Sequence, residues 1–247
     1  MIDTHAHLTA LDDADEAVER ATEAGVTRIL TVGTDLDDCR NALELADRHE
    51  GVFAILGIHP HEAGTARSED LGELRELLEH PNAVAVGETG LDWYRDYAPR
   101  DDQRALFAAQ LELAAELGRP VVIHTRAADD DTLAELADFG GTVVLHCFSA
   151  PYLLPTALER GWYVSFAGNA TFPKAVDLRL AATQVPAERI LAETDSPYLA
   201  PQPVRGRPNE PANVVHTVAA LAQARGEESA ELEQQIERNA TTCFALL

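Results

Sequence analysis

Eight short apolar runs, separated by stretches of helical periodicity, constrain this chain more than any other feature. The runs are residues 1–8 (MIDTHAHL), 28–32 (RILTV), 53–58 (FAILGI), Ala83–Asp92 (AVAVGETGLD), 121–125 (VVIHT), 143–147 (VVLHC), 162–166 (WYVSF) and 190–195 (ILAETD). A parallel strand buried on both faces reads as a continuous apolar run rather than an alternation. The clearest intervening segment is 99–117, where Leu106, Phe107, Gln110, Leu111, Ala114 and Leu117 recur at helical spacing. Pro99 sits near its start, Asp101 and Asp102 suit the positive end of a helix dipole, and Gly118 ends it. Residues 12–24, 39–49, 69–78, 132–139, 212–224 and 229–244 read the same way. Alternation over the whole length predicts an α/β fold with a parallel sheet. Eight units within 247 residues match the length of one (β/α)8 barrel. A single TIM-barrel domain over 1–247 is therefore expected, rather than an open doubly wound sheet.

The ends of five runs carry the chemistry. His5 and His7 close the first, Glu88 stands in the fourth, His124 ends the fifth, His146 the sixth and Asp195 the eighth. In a closed parallel barrel the carboxyl ends of the strands converge on one mouth, where active sites lie. Residues two apart on a strand point the same way, so the H-x-H pair can grip one ion together. Either histidine alone would more often be a packed core residue; six ligand-type residues at one end of a barrel point to one or two divalent cations. Some two-metal barrels bridge their ions with a carboxylated lysine, but the only lysine, Lys174, follows the seventh run. Glu88, with two oxygens, is the expected bridge. His5, His7 and Asp195 are then expected to hold the first ion and His124 and His146 the second. Ions about 3.5–4 Å apart can activate a water and stabilise the attacking and leaving oxygens of a displacement. Asp195 is also the expected proton acceptor, so Asp195 and Glu88 are the candidate catalytic residues.

Further residues near the mouth are candidates for substrate contact. His59 and His61, in GIHPH, are expected to face the mouth and to touch substrate or protonate a leaving group, with packing beneath Pro60 as the alternative for His59. Asp92 either orients a ligand or water, or caps the following turn. Arg126 and Arg207 are candidate phosphate forks; Arg205 fits a solvated surface arginine equally well. Tyr198, in DSPYLAP, either stacks on a base, lines the mouth or packs. Cys147 follows a proposed ligand, so its side chain is expected to point into the core. His49, His80, His216, Cys39 and Cys243 fall on helices or connections and receive no role.

The formal charge is −23, from 42 acidic and 19 basic residues. Such acidity ordinarily argues against a phosphate-rich partner. Here it is spread along the chain, and arginine replaces lysine almost completely, which matches adaptation of a halophilic protein to a salt-rich cytoplasm. At about 1 M salt the Debye length is only ~3 Å, so long-range repulsion by these carboxylates is largely screened. The charge therefore does not exclude a nucleic acid. Three scattered cysteines argue against a disulfide framework. MIDTHAHL leaves no room for a signal peptide before His5, and no apolar run is long enough to span a membrane. A cytoplasmic protein is expected, with a monomer favoured.

With GETGLDWYRDY, PVVIHTR, VLHCFSA and ETDSPYLAP followed by RGRPNEP, in this order and spacing, the chain resembles the TatD family of metal-dependent deoxyribonucleases from His5 to its last helix. The resemblance implies a TIM barrel of the amidohydrolase-like group and divalent ions, usually Mg2+, with Mn2+ or Zn2+ as alternatives. It implies hydrolysis of DNA, often from a 3′ end. The family's ligand positions fall on His5, His7, Glu88, His124, His146 and Asp195, all of them present. The same resemblance admits an acyl hydrolase such as a D-aminoacyl-tRNA deacylase, and a fold alone does not choose between the two. A catalytically silent binding protein would show a broken ligand set, and none is broken.

Overall fold

The computed structural model describes residues 1–95 and 97–246. Asp96, inside GETGLDWYRDY, and Leu247 lie outside the described residues. The strands are β1 (Ile2–Ala6), β2 (Arg28–Gly33), β3 (Val52–Leu56), β4 (Ala83–Asp92), β5 (Val121–Arg126), β6 (Val143–Leu145), β7 (Tyr163–Phe166) and β8 (Ile190–Ala192). They form one eight-stranded sheet in sequence order, with each neighbouring pair parallel. The seam between the first and last strands closes just past the end of β8. There Ala6 bridges Ser196, the Asp195 N–H donates to the His5 carbonyl at 2.9 Å and the His7 N–H to the Ser196 carbonyl at 2.8 Å. The expected barrel is what forms.

Around it lie α1 (Ala14–Glu23), α2 (Leu36–Arg48), α3 (Ser68–Leu78), α4 (Arg100–Leu117), α5 (Asp129–Glu135), α6 (Leu154–Glu159), α7 (Val176–Gln184), α8 (Val214–Arg225) and α9 (Ser229–Phe244). Local signals account for several of their starts. Asp13 caps α1 by accepting from the Glu16 N–H, and Asp35 caps α2 by accepting from the Asp38 N–H. α4 stops at Gly118, whose φ of 62° lies in the left-handed region that ends helices. α5 begins three residues before the expected 132, because Asp129, Asp130 and Asp131 occupy its first turn, where carboxylates favour the positive helix end. α6 and α7 had no counterpart in the sequence reading; α6 is a turn and a half long, too short to display a period.

β4 is buried along its whole length. Phe107 of α4, Phe166 of β7 and Phe244 of α9 are fully enclosed, each such side chain contributing roughly 1.5–3 kcal/mol by leaving water. α4 also carries two buried glutamines that reach the sheet. Gln110 accepts from the Ile58 N–H at 2.8 Å and donates to the Ile58 carbonyl and Thr89 Oγ1. Gln103 accepts from the Asp92 N–H at 2.9 Å. Both clamp the carboxyl-terminal edge of the sheet, where the strands cease to bond one another and the candidate residues begin.

Candidate active site

The ladder ends one or more residues before several expected ligands. His7, His146 and Asp195 lie past β1, β6 and β8 rather than in them. Released from the ladder, the backbone turns; Asp195 has φ 55° and Cys147 φ 45°, a conformation that costs a non-glycine residue energy and persists where its surroundings dictate it. Within β4, Gly90 has φ 140°, and a β-carbon there would fall 2.0 Å from the His124 carbonyl oxygen. Only glycine lets β4 pass so close to β5 beside the site.

Glu88 is 3% exposed and stands at the centre. Its Oε2 faces His5 Nε2 at 3.4 Å and His7 Nε2 at 3.7 Å. Its Oε1 faces His124 Nδ1 at 2.7 Å, His146 Nε2 at 2.8 Å and His59 Nε2 at 3.4 Å. Asp195 Oδ1 lies 3.3 Å from His7 Nε2 and 4.0 Å from His5 Nε2. All the sequence-predicted ligands therefore converge, with the carboxylate of Glu88 between two groups of imidazoles. His146 stands between those groups. Its ring stacks on His5 at 4.0 Å, and it shares a potential ion site with His5 and Asp195.

The donor set fits a metal. His5 is completely buried, yet among the described residues neither of its ring nitrogens has a hydrogen-bond partner. A buried imidazole without partners is costly, and a cation held against Glu88 and Asp195 would satisfy its Nε2. Potential ion sites combine His5, His7 and Glu88; His5, His146 and Asp195; and His59, Glu88 and His124, each with ligand atoms within 4.8 Å of one another.

Electrostatics keeps the carboxylates charged. Burial opposes ionisation of Glu88, but His146, His59 and His124 more than offset it and hold the carboxyl well below its usual range. Burial likewise opposes ionisation of Asp195, and His7 and His146 pull it down. Against the same burial, Glu88 and Glu193 raise His146 well above an ordinary histidine, and Asp195 raises His7. Burial lowers His5 and takes His59 to about 4, so these two imidazoles are neutral at physiological pH, the form in which imidazole binds metal.

These groups open into a cavity of about 750 Å3, which also takes in His61, Arg126 and Tyr198. His61 Nε2 lies 2.9 Å from Asp92 Oδ2, which also faces His124 Nε2 at 3.2 Å. Asp92 Oδ1 accepts from the N–H groups of Tyr94 and Arg95. Asp92 thus caps a turn and faces two histidines at hydrogen-bonding distance. Tyr198 is exposed at the mouth, its ring 5.8 Å from that of His7. Arg205 lies over the Phe172 ring, and Arg207 is exposed in the turn after Val204; neither lines the cavity.

Residues 2–245 match the family described as TatD related DNase. The chain belongs to the TatD family. It is 39% identical to a Mycobacterium tuberculosis protein named an uncharacterized metal-dependent hydrolase TatD, over 100% of this chain and 98% of that one. It is 38% identical to a Klebsiella pneumoniae protein named 3′-5′ ssDNA/RNA exonuclease TatD, again over 100% and 98%. Among solved structures, the Escherichia coli TatD homologue YJJV superposes with a TM-score of 0.94 at 29% identity, over 100% of this chain and 98% of that one.

For this TatD protein the structure decides one open alternative and corrects one expectation. His59 does not merely pack under Pro60; its Nδ1 accepts from the His61 N–H and its Nε2 is turned to Glu88. Cys147 does not point into the core. The left-handed backbone at that residue breaks strand alternation and brings it to the cavity wall. Burial holds its thiol well above the usual range, so it is not a thiolate nucleophile. Two residues were missed. Glu193, fully buried, takes His146 Nδ1 at 3.2 Å and the Cys147 N–H at 2.7 Å, fixing the imidazole with Nε2 toward Glu88. The signal was a carboxylate in an apolar run next to the motif Asp195. Asn169, whose Oδ1 is buried without a partner at the cavity, gave none.

Proposed function

We propose that this protein is a two-metal phosphodiesterase that removes nucleotides from the 3′ ends of single-stranded DNA. The observation that carries the proposal is the placement of Glu88, one carboxylate oxygen facing His5 and His7 and the other facing His124 and His146. In this reading His5, His7, Glu88, His124, His146 and Asp195 hold the ions, and His59 joins His124 beside Glu88. When bound, the pair supplies an activated water and positive charge for the attacking and leaving oxygens. Magnesium is the ion the family resemblance implies, with Mn2+ as an alternative, while a donor set in which imidazoles outnumber carboxylates also suits Zn2+.

The chain's own groups do the rest. Asp195, ionised at physiological pH and open to the cavity, accepts the proton of the attacking water. His61, oriented by Asp92, faces the cavity as the proton donor to the leaving oxygen. Arg126 offers a planar fork to a non-bridging phosphate oxygen at the rim. The relatives named as ssDNA/RNA exonucleases support this substrate class. Three free cysteines, and the lack of any helix among the described residues long and apolar enough to cross a membrane, support a cytoplasmic location.

The test is parallel incubation of metal-loaded protein, in concentrated KCl, with end-labelled single-stranded DNA and with D-aminoacyl-tRNA. Stepwise shortening of the DNA from its 3′ end is the expected result. Release of the amino acid with intact DNA would replace the phosphodiesterase with the acyl hydrolase.

A further inference from the structure

The rim of the cavity is electrically lopsided. On the side formed by the ends of β2 and β3 stand Asp38 and Glu62; on the side formed by β4 and β5 stand Arg95 and Arg126. Acidic side chains outnumber basic ones 42 to 19 in this chain, so a free arginine is easily neutralised. Yet among the described residues neither of these guanidinium groups is paired with a carboxylate, whereas Arg104, over the Trp93 ring, is held by Asp131 and Glu135.

The two arginines are interleaved with exposed aromatic rings. Arg126 lies 4.1 Å from the centre of Tyr94, Arg95 lies 5.8 Å from the centres of both Tyr94 and Tyr97, and the Tyr97 ring meets His61 at 4.8 Å. Cations and rings thus alternate from the rim down to a histidine whose Nε2 is 2.9 Å from Asp92. Tyr94 and Tyr97 are 64% and 65% exposed, although tyrosine rings shed water readily where a fold offers them cover. Trp93, Tyr94 and Arg95 are also held in place: Asp92 accepts from the Tyr94 and Arg95 N–H groups, and the Trp93 N–H donates to the Arg126 carbonyl at 2.9 Å.

We propose that Tyr94, Arg95, Tyr97 and Arg126 form the exit platform for a single strand whose 3′ end lies in the cavity. Bases behind the scissile bond lie on the rings and guanidinium planes, and the trailing phosphates are met by the two arginines. Asp38 and Glu62 repel the strand from the opposite rim. Rings recognise bases only when those bases are unstacked, so the platform selects single strands over duplexes. This proposal rests on the phosphodiesterase reading above and adds the direction in which the strand runs.

The test compares kcat/KM for an end-labelled oligothymidylate with that for bis(p-nitrophenyl) phosphate, which has a phosphodiester bond but no base. Wild-type protein, Tyr94→Ala, Tyr97→Ala and the corresponding Phe variants are assayed at one KCl concentration. Each Ala variant is expected to lower the ratio of the two values about 5- to 150-fold, the range of one base–aromatic stack. The Phe variants, which keep the ring, restore it. Arg95→Gln is expected to reduce the salt slope of oligonucleotide hydrolysis by about 1 on a log–log plot. Unchanged ratios in the Ala variants, or Phe variants as deficient as Ala, would overturn the platform while leaving the phosphodiesterase intact. Wild-type protein that cleaves the small ester and no oligonucleotide would overturn the nucleic-acid reading and the platform with it.

Discussion

Two clusters of buried polar residues meet at the seam of the barrel, and they differ in whether they are complete. In the first, Asp3 accepts from the Thr194 N–H at 2.8 Å and from its hydroxyl, while Thr4, Ser165 and Glu193 are joined through their side chains. Burial pushes the Asp3 carboxyl up to about 8, against the hydrogen bonds from Thr194, so it keeps its proton at neutral pH. In the second cluster, around Glu88, His5 has no hydrogen-bond partner for either ring nitrogen among the described residues, and the carboxylates stay ionised among imidazoles. Burial is the same: Asp3, Glu193 and His5 are each 0% exposed. What separates them is satisfaction. A cluster closed by protein groups serves the fold, although its Glu193 also reaches across to fix His146; the cluster whose imidazole lacks a protein partner fits a cation and serves chemistry.

The sharpest way to break this comparison is Asp195→Asn. Asn keeps the volume but loses both the charge that helps hold an ion and the basicity that takes a proton. Turnover is expected to fall ~10²–10⁴-fold with an unchanged circular dichroism spectrum. Near-normal turnover would remove Asp195 from the machinery.

Metal addition comes next. If the Glu88 cluster is incomplete by design, divalent ions should stabilise protein that has been stripped with a chelator, by about 2.7 kcal/mol per ion at roughly a hundred times Kd. Glu88→Gln should lose at least one ion per chain by elemental analysis and most of the accompanying rise in Tm. A Gln variant that keeps two ions and the full rise would end the bridging assignment.

The closed cluster is expected to respond in the opposite sense. Thr194→Val removes the hydroxyl that bonds Asp3 and leaves a buried carboxyl oxygen without it, at a cost of about 1–3 kcal/mol in denaturant unfolding. Metal content should not change. If the variant instead unfolds normally and loses metal, the two clusters are not separable and the distinction fails.

The smallest effect expected is that of salt, which touches neither cluster directly. Counterion release weakens phosphate binding as salt rises, with a slope set by the number of contacts. Arg95 and Arg126 are the arginines at the cavity, so that penalty is shallow. Screening of 42 acidic side chains works the other way, relieving repulsion within the fold and toward an incoming strand. Initial rates on single-stranded DNA should therefore climb from low to molar KCl at saturating metal. A steady decline with constant circular dichroism would show that ordinary phosphate electrostatics dominates and that the acidity is not an adaptation to salt.

Much of this protein is legible without coordinates, because its decisive signals are local. Eight apolar runs alternating with helical periods lead to the barrel, and the ligand-type residues at their ends lead to Glu88 and its histidines, since strand ends converge wherever a parallel sheet closes. Other features depend on residues distant in sequence that only the closed sheet brings together. Glu193 meets His146 across 47 positions and the Asp92 carboxylate meets His61 across 31, distances at which no periodicity speaks. Past the last ladder bond, alternation of side chains also stops predicting direction. The left-handed backbone at Cys147 and Asp195 shows why: one positive φ turns Cys147 to the cavity wall, where a continuing strand would have buried it. Strand pairing is written in the sequence as pattern; the aim of a side chain beyond the strand is set by packing around a single dihedral, and only the tertiary structure decides it.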